Sequence, residues 1–179
     1  MKTIIGIVGM PGAGKSTAIK IGKLFAPIIV MGDVVREETL TRGLEITPQN
    51  LGQMAQTLRE EYGTDVIAQR CMEKIHRLPN QTVIIDGLRS QHEVKLFQSE
   101  FSVIMVAISV EKELRHTWLR KRGRRDDSTQ VKDIEARDQR EISFGILEVI
   151  KNADYTIQNT GTVEDLGIQC TSLFQKVIL

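Results

Sequence analysis

At 179 residues the chain has the length of one domain that can bury a core without staples. Its 24 Lys and Arg against 23 Asp and Glu leave a formal net charge of +1, which argues against a general nucleic-acid binder, whose hold on phosphates needs a basic surplus. Cys71, Cys170 and three histidines show no metal-ligand spacing and no apolar run reaches bilayer length, so composition speaks against a structural zinc, a disulfide framework and a membrane span, and for a cytoplasmic protein with free thiols.

The first element is an apolar run, Ile4 to Val8, that predicts a strand. Directly behind it stands Gly9-Met10-Pro11-Gly12-Ala13-Gly14-Lys15-Ser16-Thr17, a complete G-x-x-x-x-G-K-[ST] phosphate-binding loop. Glycines in such a loop let successive backbone N–H groups approach phosphate oxygens. Lys15 is then expected to reach the β/γ-phosphates and Ser16 to offer its hydroxyl to Mg²⁺, with the positive end of the following helix aimed at the anion. ATP and Mg²⁺ are the expected cofactors. Removing this segment as a signal peptide would destroy the loop, so no such processing is expected.

Helices are predicted over Lys15 to Phe25, Val34 to Thr41, Asn50 to Glu61, Asp65 to His76, Gln91 to Gln98, Glu111 to Lys121, Val131 to Glu141 and Val163 to Lys176. Between them fall strands at Ile28 to Met31, Thr82 to Asp86, Val103 to Ser109 and Tyr155 to Gln158. Short β-branched runs alternating with longer helical stretches predict an α/β fold, a five-stranded parallel sheet with helices on both faces. Gly43 ends one helix, and Thr47-Pro48 caps and opens the next. About fifty residues separate strands two and three, where a crossover needs about 10 to 12. The surplus, together with the long connection between strands four and five, projects from the carboxyl ends of the sheet, the place for an acceptor-site flap and a lid.

Charged residues mark those same ends. Asp33 follows strand two, either as a helix cap or as a carboxylate facing the transferred phosphoryl group, and Arg36 comes three residues later. Asp86 closes strand three, either starting a turn before Gly87 or helping to hold Mg²⁺, with Arg89 behind it. Arg36 and Arg89 suit an acceptor phosphate, which each can grip with two parallel bonds. From Arg115 to Arg125 there are six Lys and Arg residues. This run is a solvated helix face, a nucleic-acid patch lacking aromatic interleaving, or a lid; the lid reading places Arg122 and Arg125, with Arg137 and Arg140 on the next helix, around the migrating charge. Asn159 and Gly161 follow strand five, either as an ordinary turn before a Thr162 cap or as a backbone edge beside the donor adenine.

The phosphate loop, MGDVVREE, IDGLRS, RGRRDD and the terminal QNTG together resemble the adenylate kinase and dephospho-coenzyme A kinase branch of P-loop kinases, and over nearly the whole length an archaeal family of adenylate-kinase-related P-loop proteins. The resemblance implies a nucleoside monophosphate kinase-like P-loop NTPase with strand order 2-3-1-4-5. Residues 1–179 would form a single kinase domain, with an acceptor-binding segment near 33–75 and a lid near 122–140. It also implies that Arg36 and Arg89 hold the acceptor phosphate, that Arg122, Arg125 and Arg137 grip the transferred one, and that the turn from Asn159 to Gly161 lies beside the adenine. Adenylate kinases carry D-G-F-P-R at strand three, whereas Asp86-Gly87-Leu88-Arg89 is one residue shorter. Small nucleotides are the expected partners, and the oligomeric state is left open. An ATP-dependent phosphotransferase is the leading reading; an ATP- or AMP-binding regulatory NTPase with weak turnover and a dephospho-coenzyme A kinase-like activity are the alternatives.

Overall fold

A computed structural model describes residues 1–122 and 130–178, apart from the side chains of Pro48 and Arg122. Strands β1 (Thr3–Val8), β2 (Ile28–Val30), β3 (Thr82–Asp86), β4 (Ser102–Ser109) and β5 (Tyr155–Gln158) form one sheet in the order β2-β3-β1-β4-β5. Every pairing is parallel. The order matches the expected one.

Along the central strand, alternate residues feed opposite faces, as period-two geometry demands. Ile4 and Val8 join a core with α2 (Met31–Thr41), α3 (Pro48–Tyr62), α4 (Val66–Arg77), α5 (Gln91–Gln98) and α8 (Ile146–Lys151). Ile5 and Ile7 face the other way, against α1 (Lys15–Gly22) and α9 (Val163–Ile178), where Leu166, Cys170 and Phe174 make a stripe at four-residue spacing. With both faces covered, strands such as TIIGIV read as continuous apolar runs. The chain leaves β1 toward β2 and β3 on one side, then crosses to β4 and β5 on the other. That reversal makes the carboxyl end of β1 a topological switch point.

Register fixes what meets there. Ile7 lies beside Asp86 and Val8 beside Ala107, so the loop leaving Val8 emerges next to the end of β3. Helices α6 (Lys112–Arg122) and α7 (Val131–Ser143) flank residues 123–129. Local capping follows the sequence closely: Thr47 accepts from Asn50 N, Ser90 and Glu93 form a capping box, and Thr162 and Asp165 cap α9 reciprocally. Lys2 ties the amino end to the carbonyls of Ile75 and Leu78 at the end of α4.

Four expectations need correction. Met31 belongs to α2, not β2, because its side chain continues the apolar face into the core. The N-cap of α2 is therefore Val30, and Asp33 sits inside the first turn without capping it. Helix α1 stops at Gly22, short of Phe25, and the expected helix list lacked α8, six residues opened by Gly145 at φ 95°. Both cysteines are buried and unbridged, their thiols pushed up to about 12 at Cys71 and about 11 at Cys170 by burial. Among the described residues no helix is long and apolar enough to cross a membrane.

Candidate active site

The loop from Gly9 to Thr17 curls over the end of β1 and feeds α1. Gly12 and Gly14 have φ of 83° and 107°, left-handed values open to glycine but strained for side chains. Close packing gives them a second constraint: a Cβ on Gly12 would stand 2.7 Å from Leu119, and one on Gly14 would stand 2.6 Å from Leu166. Lys15 is half-buried, and its Nζ donates to the carbonyls of Gly9 at 2.7 Å and Met10 at 3.1 Å. Burial lowers its pKa from 10.5 to about 8; Asp86 and Glu141 oppose that fall, whereas Arg137 and Arg89 reinforce it. Ser16 lies exposed on the first turn of α1.

Asp86 is the hub of the site. Burial raises its pKa, while the neighbouring charges of Lys15, Arg89 and Arg36 pull it down and Asp33 pushes it up again. Five sequence-predicted residues, Lys15, Asp33, Arg36, Asp86 and Arg89, thus lie within one electrostatic neighbourhood, and Arg137 joins it through Lys15. Asp33 and Arg36 form a half-exposed ion pair of 2.5 Å, with Gly32 lying against the guanidinium. Arg89 is held on three sides: its N–H donates to Glu93 at 2.8 Å, its Nε stands 3.5 Å from Glu141, and its guanidinium lies over the Phe144 ring.

The described residues contain no cluster of three or more His, Cys, Asp or Glu side chains that would cage a metal. A hydroxyl at the start of α1 and a lone carboxylate at the end of β3 nevertheless fit Mg²⁺, which keeps several waters and takes its other ligands from substrate phosphates.

Known proteins carry the same architecture. A family model described as an AAA domain matches residues 8–135. A UPF0200 protein from Methanocaldococcus jannaschii is 42% identical over 178 residues, covering 98% of this chain and 90% of that one; its counterpart from Thermococcus onnurineus is 41% identical with 98% of each covered. The chain belongs to the UPF0200 family. It spans 55% of the length of a UPF0200/UPF0201 protein from Archaeoglobus fulgidus, at 43% identity. Among solved structures it resembles TT1252 from Thermus thermophilus (TM-score 0.63, 19% identity, 98% of each chain) and shikimate kinase from Aquifex aeolicus (TM-score 0.56, 14% identity, 97% and 96%). At those identities the likeness establishes a P-loop kinase-like fold for this UPF0200 member.

Not every marked residue reaches the hub. Arg140 is exposed, off the face of α7 that carries Ile134, Arg137, Asp138 and Glu141 at helical spacing. Arg125 and the side chain of Arg122 lie outside the described residues. Asn159 is buried at 5% exposure, and its amide donates to the Ala13 carbonyl at 2.9 Å, supporting the loop from behind. Gly161 lies in the exposed turn, packed against Asp165. Sequence reading missed Glu141, which pairs with Arg89 while its field reaches Lys15, and it counted Arg115 merely as the start of a basic run. The sequence signal for Glu141 is its spacing of four from Arg137 on α7; Arg115, on α6, has no such signal.

Proposed function

We propose that this protein is an ATP-dependent phosphotransferase that moves the γ-phosphoryl group of ATP to a small phosphate-bearing acceptor of the nucleoside monophosphate class. The observation that carries the reading is the convergence on Lys15 and Asp86 of arginines from three directions: Arg36 from α2, Arg89 from the turn after β3, and Arg137 from α7. Hydrolysis of ATP needs fewer cations than this, whereas transfer between two phosphate-bearing molecules needs a cationic grip on each.

In this reading the acceptor phosphate oxygen attacks the γ-phosphorus, the β–γ bridging P–O bond breaks, and ADP leaves with the electron pair. The loop amides and Lys15 hold the β- and γ-phosphates. Arg36 and Arg89 orient the acceptor, and Arg137, Arg122 and Arg125 counter the charge spread over the migrating group, with Arg140 at the edge. Asp33 would face that group beside the Mg²⁺ site, with its ion pair to Arg36 exchanged for acceptor contacts. Ser16 and Asp86 would hold Mg²⁺, which would supply positive charge against the phosphates. The acceptor segment is residues 33–75 and the lid residues 122–140, within one kinase domain. The turn from Asn159 to Gly161 borders the donor base.

The test is ATP turnover by purified protein against a panel of nucleoside monophosphates and dephospho-coenzyme A. One member should raise turnover sharply. Slow phosphate release that no acceptor stimulates would instead identify a nucleotide-dependent switch, and stimulation by dephospho-coenzyme A alone would move the acceptor class.

A further inference from the structure

A buried charged group stands outside the roles given above. Arg115 on α6 and Asp138 on α7 pair through both guanidinium nitrogens, at 2.9 and 2.5 Å, with side chains only 5% and 6% exposed. His116 adds a third contact, its Nε2 lying 3.1 Å from the same carboxylate. Such a pair is expensive to bury, and replacing one by apolar residues of similar volume is often neutral or stabilising. Its position suggests what it is for. Besides Asp138, Arg115 donates at 2.8 Å to the carbonyl of Pro11, which is 104 residues away and inside the phosphate loop.

A trans peptide is planar, and its C=O and N–H point in opposite directions. No peptide bond here is cis. Fixing the Pro11 carbonyl against Arg115 therefore fixes the Gly12 N–H on the opposite side of the loop. Asn159 acts likewise on the next-but-one peptide, holding the Ala13 carbonyl and so orienting the Gly14 N–H. Among the described residues, nothing accepts a hydrogen bond from either amide. The close approach of α6 also leaves no room for a side chain at Gly12, whose Cβ would stand 3.1 Å from Arg115 Cγ.

We propose that Arg115, braced by Asp138, is a positioning residue that aims the Gly12 N–H at the phosphate chain of the bound nucleotide. The proposal rests on the phosphate-loop part of the functional reading and needs no acceptor. The same ion pair joins α6 to α7, so both helices are tied to the phosphate loop through Arg115.

Tripolyphosphate, the donor's phosphate chain without its base, is the probe, titrated into wild type, Arg115→Met and Arg115→Met/Asp138→Leu by calorimetry. The Gly12 amide resonance is followed by NMR in each. Arg115→Met should bind about tenfold more weakly, the loss expected for one hydrogen bond to a charged group. The double variant removes the buried charge altogether, so its Tm should return to that of wild type while its affinity and the Gly12 amide shift stay reduced. Recovery of affinity together with Tm would make the pair merely structural and overturn the proposal. So would unchanged binding by Arg115→Met. If Arg115→Met does not fold, the double variant decides by the same criterion. Turnover is not read, so failure to find a stimulating acceptor leaves this test intact, whereas a wild type that ignores tripolyphosphate refutes the phosphate-loop reading itself.

Discussion

Replacing Lys15 by Met removes a charge that the fold holds at a cost. Burial takes the ammonium from its ordinary 10.5 to about 8. That difference is worth roughly 3 kcal/mol of folding free energy at neutral pH. The hydrogen bonds to the Gly9 and Met10 carbonyls offset part of it, at about 1 kcal/mol each. Empty Lys15→Met should therefore be more stable than wild type by about 1 kcal/mol, a rise in Tm of about 2 to 4 °C for a chain of this size. The folded-state pKa lies below the unfolded one, so between pH 8 and pH 10.5 the unfolded chain binds more protons. Wild-type stability consequently rises with pH across that window, and the advantage of the variant shrinks; below it the advantage is constant. ATP at a hundred times its dissociation constant should stabilise wild type by about 2.7 kcal/mol and the variant far less. Thermal unfolding followed by circular dichroism, near pH 7 and about pH 9.5, with and without ATP, reads all three effects. A variant that melts below wild type near pH 7, or that gains as much from ATP, would refute the reasoning.

Arg36→Ala and Arg89→Ala should each weaken acceptor binding by about 1.5 to 3 kcal/mol while leaving ATP binding nearly intact, checked by titrating the two ligands separately. A variant that loses only ATP affinity places its arginine on the donor side. Replacing both Arg122 and Arg125 by Ala should lower kcat at least about a hundredfold with little change in either KM, since lid contacts form mainly in the transition state; unchanged turnover with loss of a salt-sensitive RNA or DNA affinity would return the basic run to nucleic-acid binding. Gly14→Ala puts a side chain on backbone at φ 107° and a Cβ 2.7 Å from the Asn159 amide. It should cost about 1 to 3 kcal/mol in urea denaturation and abolish ATP binding; a variant that binds ATP normally shows that the loop can shift without loss.

Local signals were legible in the chain and long-range ones were not. Gly9 to Thr17 behind an apolar run declares itself, because its chemistry depends on consecutive residues, and the caps at Thr47 and Thr162 likewise act within three residues of themselves. The start of α2 is displaced from the expected one because Asp33 reads as a cap, while the burial of Met31 depends on helices far along the chain. At six residues α8 is too short to show a period. Arg115 and Asp138 are separated by 23 residues, and Asn159 lies 146 from Ala13, so no window of sequence contains either contact. Glu141 carries the same lesson: a carboxylate on a charged helix face looks solvated until the fold sets Arg89 beside it.

Helix α7 tolerates changes of chemistry better than changes of length. Ile134, Arg137, Asp138 and Glu141 share a face because they recur at helical spacing, and each meets a different target: the core, the field around Lys15, Arg115 and Arg89. Inserting or deleting one residue between 137 and 141 turns everything beyond it by about 100°. Arg137 and Glu141 could then no longer act on the same site, whatever residue was added.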